Sequence, residues 1–103
     1  MVASFMTITA GEENLISVHM VDTNVYQVVV EGDTETTHRV HMSPAYYREL
    51  CGMTVTHEYV LVSAFNFLLE KEPNTAILAE FDIEDINTYF PEFEATLKER
   101  LNR

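Results

Sequence analysis

Residues 25–42 hold two runs of strand-forming residues on either side of a short polar break, and the second run alternates between apolar and polar positions. VYQVVV (25–30) is β-branched and aromatic, EGDTE (31–35) supplies Gly and Asp for a turn, and TTHRVHM (36–42) resumes with strand formers. The pattern predicts a hairpin. Alternation places His38, Val40 and Met42 on one face of the second strand, expected against the core, with Thr37, Arg39 and His41 on the other. Upstream, LISVHM (15–20) reads as a further strand that enters the hairpin through the turn Asp22-Thr23-Asn24. Residues 4–9 are a candidate fourth strand inside a stretch, 1–13, expected to fray, and Met6 is an alternative start to Met1.

At Ser43-Pro44 the period changes from two to that of a helix. Ser is a preferred N-cap and Pro at the first helical position loses no hydrogen bond, so a short helix is expected from 44 to about 51, ended by Gly52. Thr56 can cap a longer helix from 57 to about 71. Its apolar residues, Val60, Leu61, Val62, Ala64, Phe65, Phe67, Leu68 and Leu69, spread over about 220° at 100° per residue, twice the usual stripe. A helix apolar over so wide an arc must be central, with the sheet on one side and a second layer on the other. Pro73 stops it, Asn74 can cap a turn holding Ala76, Ile77 and Leu78, and Phe81 follows as an anchor. DIED (82–85) resembles a capping box opening a helix with Ile83, Ile86, Tyr89 and Phe90 at helical spacing, and Pro91 restarts the pattern. In the last helix Glu92 and Glu94 near the start, and Lys98, Arg100 and Arg103 near the end, complement the helix dipole. The expected fold is α+β in a single domain, 1–103. A three-stranded antiparallel meander over 15–42, four-stranded if 4–9 joins it, precedes three to four helices over 44–102 packed on one face.

Charge narrows the function classes. With 17 acidic against 6 basic residues the chain carries a net charge of −11, which opposes binding to phosphate backbones and anionic membranes. Neither nucleic acid nor membrane is expected as a partner. No apolar run approaches the roughly 18 residues of a membrane span, and the N-terminus lacks the cationic region of a secretory signal. The single Cys51 forms no internal disulfide, so a cytoplasmic location is expected. The acids either confer solubility or meet a basic partner, and solubility is the simpler account.

Candidate chemistry is sparse. His38 and His41 have a spacing seen among zinc ligands, but residues three apart on a strand point to opposite faces. Cys51 with His57 would make a thiol and its base, without a third group to orient them. The run DIEDIN lacks the Gly and the distant Glu of a calcium loop. No catalytic residue, cofactor or metal is therefore expected.

The segment from His38 to Glu94 resembles a small family of uncharacterised bacterial proteins. The resemblance rests on a strand, a short helix with Tyr, and a terminal pattern: FLLEKEP (67–73), Ile77-Leu78, Phe81 to Ile83, Ile86, and YFPEF (89–93). It implies a bacterial domain with no catalytic residues to carry over. The order of one strand and two helices over 36–71 is also similar to ribbon-helix-helix DNA-binding dimers, yet Arg39 stands nearly alone among acids where those proteins are basic.

Two function classes follow. The first is a non-enzymatic interaction or regulatory domain, expected to be a homodimer with an interface around Phe65, Phe67, Tyr46 and Tyr47. The second is a small enzyme or ligand-binding protein with a pocket between sheet and helices near His38, Tyr46, Tyr47, Cys51 and His57. An acidic mimic of nucleic acid is a further reading.

Overall fold

The meander expected over 15–42 is realised as part of a five-stranded sheet. The computed structural model describes residues 6–10 and 14–102. Strands β1 (Met6–Ala10), β2 (Asn14–Asp22), β3 (Val25–Glu31) and β4 (Thr36–His41) lie in chain order, each antiparallel to the one before. The candidate fourth strand is thus present as β1. Of the stretch 1–13 expected to fray, 6–10 forms this paired strand, and 1–5 and 11–13 lie outside the described residues. Register aligns Ile16 with Val30, Val18 with Val28, Val28 with His38 and Tyr26 with Val40, and all of these side chains are buried. One slip of register would turn this whole set outward, so the buried face itself fixes the pairing.

The expectation of a purely antiparallel sheet is corrected by β5 (Glu80–Asp82), which pairs in parallel with β4. Arg39, Val40 and His41 lie opposite Glu80, Phe81 and Asp82, and the Arg39 N–H donates to the Ala79 carbonyl at 2.7 Å. A parallel neighbour needs a long crossover, and here the intervening helices provide it.

Those helices begin where their caps are written. In α1 (Pro44–Cys51) the Ser43 hydroxyl accepts from the Tyr46 N–H at 3.1 Å, and Gly52, at φ +60°, closes the helix by donating its N–H to the Arg48 carbonyl. In α2 (His57–Lys71) the Thr56 hydroxyl accepts from the Tyr59 N–H. Helix α2 packs on β1 and β2, with α1 and α4 (Phe93–Leu101) also against it. Between them lie a 3-10 turn at Asn74–Ala76, a second at Ile83–Asp85, and the one-turn α3 (Ile86–Tyr89). Two capping expectations are revised. Asn74 does not cap its turn; its side-chain N–H group donates to the Thr34 carbonyl and the Thr36 hydroxyl instead. Asp82 does cap, but onto the N–H of Glu84, which tightens the start into 3-10 geometry and shortens the helix that follows.

Candidate functional site

The residues expected at an interface are interior. Phe65 is fully buried between the His38 and Phe81 rings, at 5.3 and 6.1 Å between centroids. Phe67 is 1% exposed and takes the edges or faces of Phe93 and Phe90 at 5.2 and 5.9 Å. The chain's own C-terminal segments therefore fill the arc that suggested a second subunit, and these residues cannot form a dimer interface. Tyr46 and Tyr47 are buried too. The Tyr46 hydroxyl donates to Glu94 and accepts from Asn87, whose carbonyl oxygen takes the Glu94 N–H, so α1, α3 and α4 share one polar knot. Burial pushes the Tyr46 phenol far above its ordinary value, so it stays protonated as that donor.

The expected pocket is divided in two. Tyr47 stacks on His57 at 3.8 Å, Tyr26 follows at 5.9 Å from His57, the Tyr47 hydroxyl donates to the Val55 carbonyl, and the Cys51 thiol donates to the Tyr47 carbonyl. That is a closed packing cluster. His38 belongs to another neighbourhood. Its Nδ1 lies 2.7 Å from the Leu78 carbonyl and its Nε2 lies 2.8 Å from the Thr36 hydroxyl, which in turn accepts from Asn74. A carbonyl only accepts, so the proton sits on Nδ1 and the Thr36 hydroxyl donates to Nε2. Asn74, Thr36, His38 and Leu78 thus form a directional relay that ties the segment after α2 to the sheet. His41 points the other way, to Glu80 at 2.8 Å. Among the described residues no cluster of three or more His, Cys, Asp or Glu could hold a metal ion.

What the relay positions is an apolar groove. Leu68 and Glu72 from the end of α2, Ala76 to Leu78, Phe81 from β5, and Asp85, Ile86, Tyr89 and Phe90 around α3 line a half-enclosed space of about 220 Å³. Its floor is core: Leu68, Ile77, Phe81 and Ile86 are each less than 9% exposed. Its lips are not, since Leu78 is 53% and Tyr89 66% exposed. Two broader depressions, at Val55 to Asn66 with Arg100 and at Asp33 with Leu69 to Thr75, are more open and more polar. The groove went unseen in the sequence because helical spacing puts Ile86 and Tyr89 on one side and says nothing of which is covered. The one readable signal was a second apolar cluster, Ile77-Leu78, placed after a helix stop.

Charge around the groove is uneven. Lys71 pairs with Glu92 at 3.3 Å, Lys98 with Glu49 and Glu94, Arg100 with Glu70, and Arg39 and His41 with Glu80. Glu72 and Asp85 on the groove wall, and Glu84 beside it, meet no cation among the described residues. No described helix is long and apolar enough to cross a membrane. No family model, curated protein or solved structure matches the chain.

Proposed function

We propose that this protein is a non-enzymatic interaction domain of the cytoplasm, and that it receives apolar side chains of a partner in the groove beneath Leu78 and Tyr89. One observation carries the reading: a buried apolar floor continues outward into two large exposed apolar side chains. Leaving such residues in water costs burial free energy of about 25 cal/mol per Å², and a partner recovers it. Size supports a side-chain guest over a small-molecule ligand. Pockets that enclose whole ligands run to about 300–1,000 Å³ with convergent polar groups; this groove holds about 220 Å³ and its polar groups sit on the wall. The competing reading, a reactive pocket near His38, Cys51 and His57, is weakened by their division, with His38 held by Thr36 and Leu78 while Cys51 and His57 pack around Tyr47.

Selection of a random peptide library on the folded protein tests the proposal. Peptides should be recovered whose affinity falls at least about tenfold, or ~1.4 kcal/mol, against Leu78→Asp/Tyr89→Asp. Both residues are exposed, so that variant should keep its melting temperature. Failure to recover binders, or binders indifferent to the double substitution, would refute the groove as the site.

A further inference from the structure

We infer that the groove's partner is a basic amphipathic segment of another protein, whose apolar side chains seat between Leu78 and Tyr89 while its Lys or Arg residues meet Glu72, Asp85 and Glu84. The inference rests on the docking reading above and adds the partner's chemistry. Shape alone admits any apolar guest; charge does not.

Carboxylates without an ion pair also lie elsewhere, Asp33 and Glu58 among them, but at the groove they flank a buried apolar floor. Between Glu70 and Glu94 there are eight carboxylates and one Lys. The chain satisfies Glu70, Glu80, Glu92 and Glu94 with its own cations, and it spends Lys71 on Glu92, away from the groove wall. Glu72 and Asp85 stand on two different walls, one at the end of α2 and one ahead of α3, so cations on both flanks of an apolar ridge would find partners. Complementary potentials of this kind raise the association rate and reject like-charged competitors. A second copy of this chain is such a competitor. With a net charge of −11 on each molecule, self-association through this lip sets carboxylate against carboxylate. A basic segment carrying apolar residues at i, i+3 or i+4 meets both requirements in the manner of a helix laid in a groove.

The peptides recovered by the library selection decide the matter, because the library imposes no charge. Groove binders should be enriched in Lys and Arg flanking two apolar positions, and their affinity should fall about fivefold to tenfold in Glu72→Lys or Asp85→Lys. Glu99→Lys makes the same change of net charge on an exposed position outside the groove, and should leave affinity within about twofold. Neutral or acidic binders that still depend on Leu78 and Tyr89 would overturn the basic partner while leaving the docking site intact. Equal weakening by Glu99→Lys would reduce the effect to overall charge and also overturn it. Binders that ignore Leu78 and Tyr89 altogether would remove the docking reading itself.

Discussion

His38 shows how a residue with apparent chemical promise can serve as architecture. It is 2% exposed, packed against the tilted Phe65 ring at 5.3 Å, and both ring nitrogens are engaged in a relay that ends on the Leu78 carbonyl. Burial holds its imidazole below the ordinary value, with the hydrogen bond to Leu78 pulling the other way. The unfolded chain therefore takes up a proton before the folded one does. Stability contributed by neutral His38 is complete above about pH 6.5 and is lost as pH falls through the folded-state value. Melting temperature should drop between about pH 7 and about pH 5.5 in the parent, and the drop should be smaller in His38→Gln, although that variant is less stable throughout. Equal slopes in the two proteins would show that His38 does not titrate on unfolding. Residue-scale caps were legible in the sequence, Ser43, Gly52 and Thr56 among them, because each acts within a turn of its own position. Asn74 was misread because its partners, Thr34 and Thr36, are 40 and 38 residues away.

At the scale of elements, α2 was legible as central from its apolar arc alone, since no single layer covers 220° of a helix. What covers it was not. The arc admits a second subunit or the chain's own later segments, and only the fold reveals that Phe81, Phe90 and Phe93 come back onto Phe65 and Phe67. Strand β5 was hidden for a related reason: three residues with one Phe between two acids have no period, and their pairing with β4 is made across some forty residues. These contacts give Phe67→Ala a defined outcome. Removing a ring buried among Phe90 and Phe93 should cost about 3–5 kcal/mol in urea unfolding, while sedimentation of the folded variant stays that of the parent. A change of oligomeric state with little loss of stability would place Phe67 at an interface after all.

For the whole molecule, the Cα radius of gyration of 12.6 Å agrees with the about 13 Å expected of a compact domain of this length. At one edge, beyond β5, Leu78 and Tyr89 rise over a buried apolar floor beside carboxylates that meet no cation among the described residues. That juxtaposition of floor, lips and charge underlies the proposal that the molecule works by receiving a partner there. The most direct measurement is an amide chemical-shift map of the labelled protein titrated with a library-selected peptide. The account predicts shifts gathered on Leu68, Glu72, Ile77, Leu78, Phe81, Ile86, Tyr89 and Phe90, weakening as salt is added. Shifts gathered instead around Tyr26, Tyr47, Cys51 and His57, or along Arg39, His41 and Glu80 on the far face of the sheet, would contradict it.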